Sequence, residues 1–165
     1  MNEVFMQDEL NQANAPAAHS YVEEEVAKIM QEYPAALNIA MACMWMLGHL
    51  KGEELKLLHT AQTSSLADYY ALATAGNATQ AQAMADLMIK TLRPYHISCL
   101  SREGKAGAEW ILLDFQQVLV HIFSPQARQV YALDELWQKA ESLPIPATYY
   151  GPSDELPPPP PRNYF

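Results

Sequence analysis

The sequence predicts an α/β fold in which helices pack on a mixed β-sheet of about five strands. Apolar residues with helical spacing alternate along the chain with short apolar runs that end at turn-forming residues, which is typical of an α/β layer. Two apolar runs separated by only two residues, 109–115 and 118–123, predict an antiparallel hairpin, so the sheet is not purely parallel. Half of the 165 residues are hydrophobic, which is sufficient for the core of one domain.

The first predicted element is a helix at residues 20–33, after a polar segment, 1–19, that we expect to be disordered. Ser20 and Glu23 have the spacing of a capping box at the start of this helix. The apolar stripe of the helix is Val22, Val26, Ile29 and Tyr33.

Residues 34–142 are predicted to form the folded domain. Pro34 can begin a second helix, which ends near Leu50 before Lys51-Gly52 and is apolar nearly all round. We therefore expect the helix at 20–33 to pack its stripe over it. The later segments, in order, are strands at 53–61 and 69–75, a helix from 77 or 79 to 92, strands at 95–101, 109–115 and 118–123, and short helices at 125–131 and 133–140.

The final segment, 143–165, holds eight of the twelve prolines and no periodic apolar pattern. This composition predicts an extended chain, partly polyproline II. Two interpretations remain open: a solvated tail, or a Pro-rich peptide whose aromatic residues dock on the domain or on a partner.

The charge balance narrows the range of partners. Ten basic residues against nineteen acidic ones give a formal net charge of −9. Nucleic-acid binding relies on clustered Lys and Arg, so we expect no direct sequence-specific contact with nucleic acid. A basic protein is the more suitable partner, because opposite charges raise the rate of encounter.

Three features predict a cytoplasmic protein without membrane contact. Cys43 and Cys99 lie in apolar neighbourhoods without C-x-x-C spacing, as buried reduced thiols do. The N-terminal stretch MNEVFMQDELNQ lacks the basic start and apolar run of a signal peptide. The apolar segment 34–50 is shorter than the roughly 20 residues of a membrane span, and it contains Asn38 and His49.

Motifs for catalysis are missing from the sequence. It has no Gly-rich phosphate loop, no Cys/His cluster for a metal, and no pair of carboxylates one residue apart on a strand to hold Mg²⁺. In TSSLAD, Ser64, Ser65 and Asp68 are better explained as turn residues that bond backbone N–H groups. We therefore expect no enzymatic activity, no cofactor and no metal.

The hairpin at 109–123 is the most suggestive part of the chain. Strand alternation places Trp110, Leu112 and Asp114 on one face of the first strand, and it places Val120 and His121 on opposite faces of the second. Both faces are rich in large apolar groups. Either helices cover both faces, or one face binds another molecule, for which Trp and Tyr are well suited.

The motifs LGHLKGEEL, TSSLADYYALAT, MADLMIKTL and AEWILLDF..VLVHIFSPQARQVYALDELW resemble, in that order and spacing, the Iojap family of ribosomal silencing factors. The similarity covers roughly residues 36–138, and both flanks lie outside it. The most specific part is the hairpin and the segment after it. The matching positions there are Trp110, Asp114, Val118, Val120, His121, Arg128, Tyr131, Leu133, Leu136 and Trp137.

This resemblance implies a mixed-sheet α/β domain that is similar to the nucleotidyltransferase fold but lacks catalytic residues. Family members bind the large ribosomal subunit at ribosomal protein fourteen, block joining of the small subunit, and repress translation under nutrient limitation. Isolated members often occur as homodimers, so a homodimer is a further expectation. The resemblance, together with the charge balance, indicates a basic ribosomal protein on the intersubunit face as the partner.

The partner contact is expected on the hairpin. The predicted apolar and aromatic contacts are Trp110, Leu112, Val120, His121 and Tyr131. The predicted acidic contacts with Lys or Arg of the partner are Asp114, Glu109 and Asp68. The central aromatic side chains should carry most of the affinity, since single rim charges contribute little.

The chain departs from the family pattern at three places. His59 stands where an acidic residue is typical, Ala75 where a glycine is usual, and Gln116-Gln117 where Gly-Asp is common. These changes leave the fold prediction untouched. They keep open an alternative function, a divergent paralogue that associates with itself or with another protein. A nucleotidyltransferase-like enzyme is a further alternative, which rests on fold analogy alone.

Overall fold

The structure is a computed structural model that describes residues 17–104, 107–130, 135 and 137–150, with side chains from residue 21 onward. The predictions for residues 1–16 and 151–165 lie outside the described residues. The elements are α1 (Ala17–Glu32), α2 (Leu37–His49), β1 (Glu53–His59), β2 (Tyr69–Thr74), α3 (Ala78–Leu92), β3 (Ser101–Glu103), β4 (Trp110–Asp114), β5 (Val118–Phe123), α4 (Pro125–Val130) and β6 (Glu141–Leu143).

The described strands form one six-stranded sheet in the order β3-β4-β5-β2-β1-β6. Neighbouring strands pair antiparallel except β2 and β5, which run parallel from Tyr69↔Val118 to Thr74↔Phe123. This arrangement confirms the predicted mixed α/β fold. It contains one strand more than the five predicted, because β6 comes from the segment assigned partly to the C-terminal tail.

The main core lies between one face of the sheet and the three longer helices. Helix α2 is buried along almost its whole length, as its uniformly apolar composition requires. Val22, Val26 and Ile29 of α1 are buried against it, so the predicted packing of this stripe is confirmed. Helix α1 begins at Ala17, before the predicted start at Ser20, because Ala residues favour continuation of a helix.

Helix α3 is capped at its N-terminus by one of the two predicted residues. The Asn77 side chain accepts a hydrogen bond from the Gln80 N–H at 2.8 Å, and the Gln80 side chain accepts one from the Gly76 N–H at 2.8 Å. Two backbone donors at the helix start are thereby satisfied. These two hydrogen bonds fix the conformation of the short link between β2 and α3.

Residues 141–150 form a strap that packs on the domain. Its β6 pairs with β1 from Leu57↔Leu143 to His59↔Glu141, and its Ile145 and Tyr149 are buried in the main core. The strap lies directly against α2 at Gly48, where an added Cβ would come within 1.7 Å of the Tyr149 carbonyl oxygen. Of the two interpretations of the segment after residue 142, docking on the domain is correct for residues 143–150.

Two other predicted elements differ from the structure. The observed β3, Ser101–Glu103, overlaps the strand predicted at 95–101 only at Ser101, because Ser101 pairs with Asp114, where β4 ends, and the residues before Ser101 have no strand beside them. Arg102 and Glu103, which lie between the two predicted strands 95–101 and 109–115, are strand residues in the structure. Of the helix predicted at 133–140, residues 133, 134 and 136 lie outside the described residues, and residues 137–139 form a turn in which the Ala140 N–H donates to the Trp137 carbonyl.

Candidate partner-binding face

The sheet has a second face, opposite to the main core, that carries the predicted hairpin residues. Trp110 pairs with Phe123, Leu112 with His121, and Asp114 with Leu119, so these six side chains share one face. The four apolar ones belong to a second apolar cluster, in which α4 and residues 137–140 cover β5, β2 and β1. Strands β3 and β4 extend beyond this cover.

His121 lies at the centre of the second cluster and is 4% exposed. Its Nδ1 accepts a hydrogen bond from the Trp110 indole N–H at 3.2 Å. The ring centroid of His121 lies 5.2 Å from that of Tyr70, 5.0 Å from Trp137 and 6.0 Å from Phe123. The imidazole is therefore enclosed by aromatic rings and holds the Trp110 indole in one orientation.

The protonation state of His121 follows from this geometry. Burial, and to a smaller extent the nearby Arg128 charge, lower the pKa of His121 from its ordinary value to about 4. An indole N–H can only donate, so Nδ1 carries no proton and Nε2 does. Among the described residues, the buried Nε2 has no hydrogen-bond partner. His121 is therefore a neutral positioning residue beneath Trp110, and the expectation that it contacts a partner directly does not fit its burial.

The exposed part of the second face is formed by β3 and β4. Trp110 and Leu112 are half-buried, and Leu100, just before β3, is 62% exposed. Glu103 pairs with Leu112 across the two strands, so its exposed carboxylate lies on the same face as that side chain. Glu109 is exposed at the start of β4. We call Leu100, Glu103, Glu109, Trp110, Leu112 and Asp114 the Trp110 patch.

Two members of the Trp110 patch, Leu100 and Glu103, were not predicted. The predicted strands 95–101 and 109–115 leave Glu103 between them without a strand partner, so its pairing with Leu112 could not be inferred. Asp114 has an additional role, since its carboxylate accepts a hydrogen bond from the Gln116 N–H at 2.7 Å. Part of its charge is therefore used to hold the β4–β5 turn.

The remaining predicted contacts lie elsewhere. Val120 is fully buried in the main core on the opposite face, so its assignment to the contact surface was wrong. Asp68 is half-buried at the start of β2, where its N–H donates to the Gln117 carbonyl at 3.0 Å. It lies beside the β4–β5 turn rather than among the residues around Trp110. Tyr131 lies outside the described residues.

Arg128 is one of the positions that match the family pattern, and the sequence assigned it no function. In the structure it stabilises the packing of α4 on the sheet. Its guanidinium lies 5.5 Å from the Phe123 ring centroid, and its Nε lies 3.7 Å from a Glu54 carboxylate oxygen. Arg128 is 7% exposed, so its charge is shielded from solvent and matched by the ring and the carboxylate.

Neither a metal site nor a membrane span is found in the described part of the chain. No three His, Cys, Asp or Glu side chains described by the structure are close enough to hold a metal ion together. Within the same residues, no helix has the length and apolar character needed to cross a membrane.

Comparison with known proteins adds to this geometry. A family model described as "Ribosomal silencing factor during starvation" matches residues 33–160. The chain belongs to the ribosomal silencing factor family. The matched range extends past residue 138, so the strap belongs to the family domain, whereas the sequence-based similarity had left both flanks outside it. Helix α1 ends at Glu32 and therefore lies wholly before the matched range.

Relatives with curated names agree with this membership. A ribosomal silencing factor of Haemophilus influenzae is 34% identical over 91 residues, which cover 55% of this chain and 89% of the relative. The chloroplastic protein Iojap of Zea mays is 26% identical over 110 residues, covering 67% of this chain and 48% of that one. A mouse protein, mitochondrial assembly of ribosomal large subunit protein 1, is 28% identical over 75 residues, covering 42% and 32%. The family name describes a regulatory factor and not an enzyme.

Solved structures confirm the fold. A crystal structure from Bacillus halodurans matches with a TM-score of 0.55 at 26% identity, covering 66% of this chain and 96% of that chain. A crystal structure of a protein from Chromobacterium violaceum matches with a TM-score of 0.54 at 26% identity, covering 70% and 85%.

Proposed function

We propose that the protein binds the large ribosomal subunit through the Trp110 patch and thereby blocks joining of the small subunit. The contact on the ribosome would be a basic protein of the intersubunit face, ribosomal protein fourteen in the family that the sequence resembles. Occlusion of this surface would repress translation when nutrients are limiting. Family membership supports a silencing role, and the name of the mouse relative refers to the ribosomal large subunit.

The observation that carries the proposal is the half-exposed Trp110 indole held in place by His121. A large aromatic side chain that is already oriented loses little conformational entropy on binding, which is the property of an interface hot spot. Trp110 and Leu112 supply apolar area at the centre of the patch, and the β3–β4 backbone holds them on a rigid element.

The charge of the patch favours a basic partner over a second copy of the chain. Glu103 and Asp114 lie on the same face as Trp110 and Leu112, the exposed Glu109 directly precedes Trp110, and the whole chain carries a net charge of −9. A symmetric dimer through this patch would bring like charges together, which is unfavourable. A partner rich in Lys and Arg would instead be attracted to it, so self-association is the weaker candidate for this surface.

Sedimentation of purified large subunits through sucrose gradients tests the proposal. Trp110→Ala should lower the affinity for the subunit about thirtyfold or more, and so remove co-migration, because loss of a hot-spot aromatic costs about 2 kcal/mol or more. Tyr21→Ala is the matched control, because Tyr21 is a 50% exposed aromatic residue on α1 at the other side of the sheet. It should co-migrate like the unmodified protein.

A second measurement distinguishes the contribution of the acidic residues to binding from that of Trp110 and Leu112. The double variant Glu103→Gln/Glu109→Gln should bind more weakly in low salt and show a smaller loss of binding as salt rises. Each variant is first shown to be folded by circular dichroism. Equal co-migration of folded Trp110→Ala and the unmodified protein would refute the assignment of this patch, and absence of binding by the unmodified protein would refute the function itself.

A further inference from the structure

A separate cleft lies at the covered end of the second face, away from the Trp110 patch. It has a volume of about 380 Å³, within the range of small-molecule sites, and it opens between the β1–β2 turn and residues 137–140. The β1–β2 turn and residues 137–140, which form the two walls of the cleft, both adjoin the end of β1. The turn begins directly after His59, and Glu141, just after the second wall, pairs with His59.

The turn wall is held in shape by its own hydrogen bonds. The Thr60 hydroxyl donates to the Ala67 carbonyl at 2.8 Å, and the Thr60 carbonyl accepts from the Ser64 N–H at 2.8 Å. The Ser64 hydroxyl oxygen accepts from the Leu66 N–H at 3.1 Å. This wall therefore has a defined conformation before any ligand binds, which lowers the entropic cost of binding.

The cleft offers one hydroxyl proton to a ligand. The Ser64 and Tyr70 hydroxyl oxygens lie 2.9 Å apart, and either can donate to the other. Whichever hydroxyl donates within the pair, the hydrogen of the other remains available, because each hydroxyl has a single proton. The pair can therefore donate to an acceptor in the cleft in either arrangement.

Lys139 and Trp137 complete the chemistry of the cleft. Lys139 is the only charged side chain among the described lining residues, and it is exposed in a chain whose net charge is strongly negative. The Trp137 indole packs edge-on against the Tyr70 ring with centroids 5.2 Å apart, and both rings line the cleft. An ammonium group and a hydroxyl donor suit an oxyanion, and the aromatic wall suits a flat ring.

We propose that this cleft binds a small molecule that combines a flat ring with an oxyanion, either a phosphate or a carboxylate. The ring packs against Trp137, and the oxyanion is bound by Lys139 and the Ser64–Tyr70 hydroxyl pair. A nucleoside monophosphate and an aromatic carboxylate share this chemistry. The site lies outside the Trp110 patch and adds a ligand-binding activity to the proposed ribosome contact.

Fluorine NMR of the full chain labelled with 5-fluorotryptophan tests this site. AMP and indole-3-acetate represent the two sources of the oxyanion, while adenosine lacks the anion and inorganic phosphate lacks the ring. At least one of the first two should shift the Trp137 signal, which a Trp137→Phe variant assigns, and leave the signal of Trp45, buried at α2, unchanged. Adenosine and phosphate alone should bind at least about fivefold more weakly, since each lacks one of the two contacts.

Lys139→Gln should weaken binding about five- to tenfold at low salt, whereas Lys90→Gln should have no effect. Lys90 is an exposed lysine on α3, at the other face of the sheet, and is the matched control. The proposal is overturned if neither AMP nor indole-3-acetate shifts Trp137 at about 5 mM, or if the two lysine variants weaken binding equally. Co-migration of Lys139→Gln with large subunits should remain normal, so the two proposals fail independently.

Discussion

The burial of His121 has a measurable consequence for stability as a function of pH. The ordinary pKa of the imidazole is 6.5, and burial lowers the pKa of His121 to about 4 in the folded chain. The unfolded chain therefore binds a proton more strongly than the folded one between these values, and stability falls as the pH falls. Above pH 6.5 both states are neutral at this residue and the effect vanishes.

The magnitude follows from the two pKa values. Lowering the pH from 7 to 5 should reduce the free energy of unfolding by about 2 kcal/mol through His121 alone, approaching about 3 kcal/mol below pH 4. His121→Gln removes this titration, and a glutamine oxygen can still accept the Trp110 N–H. The variant should therefore lose about 2 kcal/mol less than the unmodified protein between pH 7 and pH 5.

Urea unfolding followed by tryptophan fluorescence at the two pH values measures this difference, because titration of the other groups is common to both proteins. His96→Asn, which removes an exposed histidine and tolerates its left-handed backbone, is the control and should keep the pH dependence of the unmodified protein. If His121→Gln loses stability as steeply as the unmodified protein, the imidazole is not held neutral beneath Trp110.

Three further predictions concern the scaffold. Gly48→Ala would stabilise an ordinary helix, but here its methyl group would strike the Tyr149 carbonyl, so thermal unfolding should show a loss of about 1–3 kcal/mol; a gain would show that the strap does not pack there. Gln116 has φ of 73°, so Gln116→Gly should raise the free energy of unfolding by about 1 kcal/mol, and an unchanged urea midpoint would contradict the strain. Asn77→Ala should lose about 1 kcal/mol through the α3 cap, whereas Asn77→Ser should retain most of it; equal losses would exclude capping.

Much of the candidate site could be predicted from local sequence. Strand alternation correctly placed Trp110, Leu112 and Asp114 on one face, since side-chain direction in a strand depends only on the period of two residues. Strand alternation could not show which face of β5 lies on the same side of the sheet as the Trp110 face of β4. The two-residue turn sets Asp114 opposite Leu119, so His121 joins Trp110 while Val120 turns to the main core. A shift of one residue in register would have exchanged them.

The unpredicted parts of the fold depend on contacts between distant residues. The segment after residue 142 carries prolines and isolated apolar residues, which have no periodicity to indicate an element. Ile145 and Tyr149 become core residues only because β6 pairs with β1 and because Gly48 lets the backbone approach α2. Glu103 belongs to the Trp110 patch for the same reason. Its pairing with Leu112 joins two strands, and the residues next to Glu103 in sequence do not predict it.

The sequence by itself determined the fold class, the apolar stripe of α1, the Asn77 cap of α3, the family resemblance, and the shared face of Trp110, Leu112 and Asp114. These features depend on residues a few positions apart, whose spacing is visible in the chain. Only the tertiary structure decided that His121 is a buried support, that Val120 belongs to the core, and that the strap completes the sheet. Those outcomes depend on strand register and close packing, in which the burial of one residue is set by others far away in sequence.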